Sequence, residues 1–123
     1  MNTAAPNPAP TPGGLEKVEP DASYLLGRAP DGKCWIYVAK CGEYVKIGMT
    51  KNIKRRFTQL RTGSAHRITC RFAHLVPSTI ARSVERMAQN NLGIPAMYSR
   101  SEWFNATTDQ AGLALDKAVK SAS

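Results

Sequence analysis

Two short runs dominate what this chain can fold into. Trp35-Ile36-Tyr37-Val38-Ala39 and Tyr44-Val45-Lys46-Ile47-Gly48 are rich in aromatic and β-branched residues. Such residues fit a pleated, half-buried surface. Lys40-Cys41-Gly42-Glu43 separates them, a short connection containing glycine. The pair reads as a β-hairpin. Folding is expected to start near Cys34. Residues 1–20 hold five of the eight prolines, mixed with Ala, Asn, Thr and Gly. A segment of that composition cannot bury enough apolar surface to fold. Residues 1–30 are therefore expected to be a disordered, Pro-rich tail, and residues 31–123 a single domain. Within residues 21–33, Tyr24-Leu25-Leu26 offers a clip onto that domain. About ninety residues support one small core, which excludes a barrel enzyme or a doubly wound dinucleotide fold.

After the hairpin, Thr50 stands where a helix N-cap belongs. Ile53, Phe57 and Leu60 then recur at helical spacing, and Thr62-Gly63-Ser64 ends the helix. Ile68 to Val76 reads as a third strand. Pro77 and Ser78 open a second helix carrying Ile80, Val84, Met87 and Asn91 on one face, closed by Gly93. Ile94 to Arg100 reads as a loop. Trp103-Phe104 is a buried anchor or a very short strand. Thr107 or Thr108 caps a last helix running through Ala118. The order predicts an α+β fold: a small three-stranded antiparallel sheet, β-β-α-β-α, flanked by helices.

Charge narrows the function. The chain carries a formal net charge of +8. From Lys33 to Arg100 there are thirteen lysines and arginines against two acids, a net +11, while the remainder holds four against seven, a net −3. A domain that basic attracts a polyanion, with nucleic acid first among them. No run approaches the ~18 apolar residues of a membrane span, and the N-terminus lacks the charged and apolar stretches of a secretory signal. A cytoplasmic protein without a membrane partner is expected. Cys34, Cys41 and Cys70 are odd in number and lack CxxC spacing, so they read as reduced thiols rather than a disulfide framework or zinc site.

Several side chains could carry chemistry. On a helix wheel Arg56 lies about 60° from Ile53, at the margin of the apolar stripe, where a half-buried guanidinium needs a carboxylate or phosphate partner or else covers the core with its stem. Lys51, Lys54 and Arg55 point away to solvent. With Lys46, Arg61 and Arg67 they make a basic DNA-binding face. Glu85 is the only acid between Tyr44 and Ser101. A carboxylate amid so many cations suits either an Mg²⁺ ion or an ion pair with Arg82 or Arg86. Tyr37 is a mid-strand phenol whose simplest role is packing. His66 and His74 read as structural or phosphate-facing, and Asn105 as a turn residue or polar ligand.

Taken in order, these pieces resemble the GIY-YIG nuclease superfamily over roughly Cys34 to Asn105. Trp35-Ile36-Tyr37 and Lys46-Ile47-Gly48 stand for the two signatures. Gly48-Met49-Thr50, Ile53 and Arg56-Phe57 resemble the helix entry, and Glu85 the later helix glutamate. Ser101-Glu102-Trp103-Phe104 is similar to the Glu-Trp-Phe close of a phage and bacterial branch of DNA-binding or nuclease domains. The resemblance implies a metal-dependent endonuclease that cleaves phosphodiester bonds in DNA. Glu85 would hold a single Mg²⁺ or Mn²⁺, Arg56 would neutralise the developing charge, and Tyr37 would orient or activate water. Lys46 stands at the catalytic position of the second-signature tyrosine, where a lysine can bind phosphate or, if buried, act as a base; Trp35 replaces the first glycine, and Ala88 stands where the branch often carries a histidine. The alternative is an inactive DNA-binding module on the same fold, which needs only the basic face. A third reading is an interaction domain tethered by the tail.

Overall fold

The hairpin forms, and it is longer than the two runs that announce it. In the computed structural model, which describes residues 21–93 and 103–122, β1 spans Lys33–Cys41 and β2 spans Tyr44–Thr50. The two pair antiparallel from Trp35 opposite Thr50 to Cys41 opposite Tyr44, which leaves only Gly42 and Glu43 in the turn. Gly42 has φ of 59°, a left-handed conformation that a two-residue hairpin loop of the primed type requires and that glycine adopts without steric cost.

β3, Ile68–Pro77, pairs antiparallel with the other edge of β1, with a register shift between Val38 and Ala39 that leaves Arg71 as the extra residue. A fourth strand, β4, is only Trp103–Phe104 and pairs with Lys46 and Val45 of β2. The sheet is thus four-stranded in the order β3-β1-β2-β4. The expectation of three strands is corrected here. Two residues give no readable alternation, and only the neighbouring strand shows that they join the ladder.

The helices are α1 (Ile53–Arg61), α2 (Ala81–Leu92) and α3 (Thr108–Ala122). Alternation along the central strands sorts the core into two layers. Ile36, Val38, Val45 and Ile47 face α2 and α3, packing with Val84, Ala88, Ala111 and Leu115. Tyr37 and Ala39 face the other way, packing with Ile53 and Phe57 of α1 and with Ile68 and Cys70 of β3. The stripe expected on α1 is present: Ile53 and Phe57 are buried and Leu60 packs against them. On α2 the expected face packs through Ile80, Val84 and Met87, and only Asn91 departs from it. Ala81, Val84 and Ala88 are buried, whereas Asn91 is exposed and donates from Nδ2 to the Ala114 carbonyl at 3.1 Å. Alanines let α2 approach the sheet and α3 closely, a role that apolar periodicity alone underweights.

Cap chemistry corrects one boundary. Asn52, not Thr50, caps α1, accepting the Arg55 N–H on its side-chain oxygen at 3.0 Å. Thr50 braces that cap, its hydroxyl accepting from Asn52 N at 3.1 Å and donating to the Asn52 carbonyl at 3.2 Å. Gly93 closes α2 in the left-handed conformation, φ 66°, as its position suggests. Thr107 and Gln110 form a reciprocal capping box ahead of α3.

Residues 21–30, which the composition groups with the tail, pack onto the α1 side of the sheet. A 3-10 turn, Ala22–Tyr24, is capped by Asp21, and Ser23 is buried. Leu26 packs against the Tyr37 layer, while Tyr24 and Leu25 are exposed. The expected tail of residues 1–20, the expected loop Ile94 to Arg100, and Ser101-Glu102 lie outside the described residues. No helix among the described residues is long and apolar enough to cross a membrane.

Candidate nucleic-acid interface

Strand parity decides which predicted residues meet. Tyr37 on β1 and Lys46 and Gly48 on β2 all point to the α1 side. Tyr37 is buried at 1% exposure, its ring set edge-on to Phe57 at 5.2 Å between centroids. Lys46 is buried at 8% exposure, opposite Ala39 on one side and Trp103 on the other, with Nζ 5.9 Å from the Trp103 ring centre.

Arg56 stands on the same side, half-buried, in a cleft of about 330 Å³ at the start of α1. Arg28, Lys51, Arg55 and Arg56 line this cleft with Thr50, Asn52 and Gln59. Four cations and no acid make up its charged lining. The N-terminal end of the α1 dipole adds positive potential to the same place. Lys51 is held by its own donors, Nζ bonding the Ser78 hydroxyl at 2.8 Å and the Lys33 carbonyl at 3.3 Å. Lys54 and Arg67 are exposed, as expected of a solvent-facing basic surface.

Arg61 does not belong to that surface. Its Nη2 pairs with Asp21 Oδ2 at 3.2 Å and donates to Ser23 Oγ at 2.6 Å and the Ile68 carbonyl at 2.9 Å. Its guanidinium also lies 4.9 Å from the Tyr24 ring centre and 5.6 Å from that of Phe57. This arginine ties the N-terminal segment to β3. Asp21 Oδ1 completes the tie by accepting from Ser23 Oγ at 2.6 Å and from Cys70 N at 3.0 Å. Burial opposes the Asp21 charge, but these hydrogen bonds and the Arg61 cation outweigh it and hold the carboxyl below its ordinary range.

Glu85 rides on α2, which packs against the Ile36 layer, whereas Tyr37 and the α1 helix that carries Arg56 belong to the other layer. Glu85 is nonetheless placed along β2. Gln89, one turn later, donates from Nε2 to the Ile47 carbonyl at 3.0 Å. Cys34, whose thiol lies 3.4 Å from the Thr50 carbonyl, is pushed up by burial, with the Glu85 charge adding to the rise and Lys51 opposing it. The charges of Glu85 and of Lys51, a residue of the Arg56 cleft, are thus both felt at the Cys34 thiol.

Other features are less suited to a polyanion. A larger cleft, about 600 Å³, opens between the hairpin tip and the start of α3, but its lining includes the acid Glu43 as well as Lys40 and holds none of the residues assigned to phosphate chemistry. Asn105 lines it. Among the described residues no three His, Cys, Asp or Glu side chains gather as a metal cluster. Cys34 and Cys70 are buried on opposite layers, and His66 is exposed. Arg28, Asn52 and Gln59 are cleft residues that the sequence reading missed. Only Asn52 carries a signal, as a capping residue three positions before Arg55.

The class defined so far is a small α+β domain with a cationic cleft at a helix entry. The chain belongs to the T5orf172 domain family, whose model matches residues 34–119. That match overturns the GIY-YIG assignment made from short signatures. Membership is consistent with a general DNA-binding or endonuclease role. No curated protein and no solved structure matches the chain.

Proposed function

We propose that this domain binds DNA through its phosphate backbone at the cleft that opens α1. The observation that carries this reading is the gathering of Lys51, Arg55 and Arg56 at the helix entry with no acid among the lining residues. Like charges held together in this way repel one another unless a polyanion joins them. Guanidinium groups match phosphate oxygens in two-point geometry. Lys54 and Arg67 extend the positive field beyond the cleft. The contacts are to backbone, so affinity should exceed sequence selectivity.

The test is retardation of a short duplex across a salt series. Three phosphate contacts, from Lys51, Arg55 and Arg56, predict a log–log slope at least as steep as about −2.7. Arg56→Ala and Arg55→Ala should each make it shallower by about 0.9. A slope near zero for the wild type refutes the reading.

A second reading, metal-dependent phosphodiester cleavage, is favoured by one relationship: the Glu85 carboxylate and Lys51, which lines the cleft with Arg56, both act on the Cys34 thiol beside the Thr50 carbonyl. A single carboxylate fits Mg²⁺ or Mn²⁺, which bind through one or two carboxylates together with substrate phosphates and water. Glu85 would hold the ion, which would polarise the scissile phosphate. Arg56 would stabilise the charge that develops on the phosphoryl oxygens. Tyr37 and Lys46, buried on the α1 side, would orient the groups around the attacked phosphate rather than meet bulk solvent.

A further inference from the structure

We propose that Arg28 is a DNA-phosphate contact supplied from outside the T5orf172 domain, carried into the cleft by an N-terminal strap fixed at both ends. The proposal rests on the DNA-binding reading and adds to it a residue and a segment that the family match does not include, since the match begins at residue 34.

The strap is residues 21–33. At its start, Asp21 is locked by Arg61 and by the Cys70 amide. At its far end it bonds the α1 entry directly. The Gly27 carbonyl accepts from Ile53 N at 3.1 Å, Arg28 forms a β-bridge with Asn52, and Ala29 N donates to the Lys51 carbonyl at 2.7 Å. Ala29 is buried at 7% exposure. Beyond it, the Gly32 carbonyl accepts from Ser78 N at 2.8 Å.

The simpler reading of Arg28 is a solvent-facing arginine with no task, which most exposed arginines are. Two facts weigh against it. Its backbone is pinned on both sides, to the segment that caps α1, so less freedom remains to be lost when a ligand arrives. Its side chain lines the same cleft as Lys51, Arg55 and Arg56, adding a fourth cation where repulsion opposes one. A strap needed only to cover the α1 entry could carry a neutral residue there.

The experiment compares wild type, Arg28→Ala and Lys117→Ala by retardation of a duplex of random sequence across a salt series. Lys117 is exposed on α3, on the other side of the sheet, and its loss changes the net charge equally. Arg28→Ala should bind more weakly, with a slope shallower by about 0.9, while Lys117→Ala keeps the wild-type slope. Both variants should melt with the wild type, because both side chains are exposed. An unchanged slope for Arg28→Ala, or an equal change for Lys117→Ala, overturns the assignment and leaves the DNA-binding reading standing. A wild type that shows no salt-dependent retardation overturns both.

Discussion

The phenol of Tyr37 lies across Gly48, its partner on the neighbouring strand, so closely that a β-carbon on Gly48 would fall 2.5 Å from the Tyr37 hydroxyl oxygen. The same carbon would sit 2.6 Å from Cζ and 3.0 Å from Cε2. Gly48 is therefore required by the ring above it.

Gly48→Ala should destabilise the domain by about 1–3 kcal/mol, the usual cost of overpacking a filled core. Tyr37 cannot swing clear, because it is buried edge-on against Phe57. Tyr37→Phe should relieve the clash only in part, since Cζ remains in place. Urea denaturation of both single variants and the double variant measures this, and additive losses would contradict direct contact.

Asp21 should set part of the acid limb of stability. Its carboxyl titrates below the ordinary 3.8 in the folded state, so its contribution is complete above that value. It is lost as pH falls through the lowered folded value. Asp21→Asn should cost about 1.5–3 kcal/mol at pH 7, the range for hydrogen bonds to a charged group. The gap from wild type should narrow as pH drops below 4. Melting curves across pH decide it, and a gap independent of pH contradicts the prediction.

The three thiols should differ in reactivity. Burial pushes Cys70 up to about 12, with the Asp21 charge adding to the rise and Arg61 opposing it. Little thiolate then exists near neutral pH. Cys41 is only half-buried. Iodoacetamide at pH 7.5, followed by peptide mass mapping, should label Cys41 first and Cys70 only after denaturant is added. Equal rates in the native protein would contradict the burial of Cys70.

Cleavage is tested by nicking of supercoiled plasmid in Mg²⁺ or Mn²⁺, beside Glu85→Gln and an EDTA control. If Glu85 holds the metal, the variant loses nicking and keeps its retardation of duplex DNA. Nicking by Glu85→Gln at the wild-type rate removes Glu85 from the reaction. Absence of metal-dependent nicking by the wild type, with retardation intact, leaves a binding module.

Elements with strong periodicity were legible in the sequence. The hairpin, the α1 stripe through Ile53 and Phe57, and the Gly93 cap each follow from local chemistry. Trp103-Phe104 became a strand only through pairing with Lys46 and Val45, a relation that no local pattern encodes. Arg61 looked like one more surface cation because its partners Asp21 and Ser23 lie far away along the chain. The family assignment failed for a related reason: three-residue signatures such as Trp35-Ile36-Tyr37 are also what an ordinary central strand requires. Charge was more dependable, since the basic segment supplies three of the cleft's four cations, Lys51, Arg55 and Arg56. Arg28 was missed because its position depends on a backbone bridge to Asn52 rather than on its own neighbours.

The tie between Asp21, Arg61 and Cys70 joins positions separated by 40 and 49 residues. During synthesis the strap emerges first, yet it has nowhere to dock until β3 has also left the ribosome. At ordinary elongation rates that delay is on the order of several seconds. The strap is thus early in synthesis and late in assembly. Until it docks, Arg61 lacks its acidic partner and the entry to α1 lacks its cover. In a nascent chain the cationic cleft is thus completed only after β3 has joined β1.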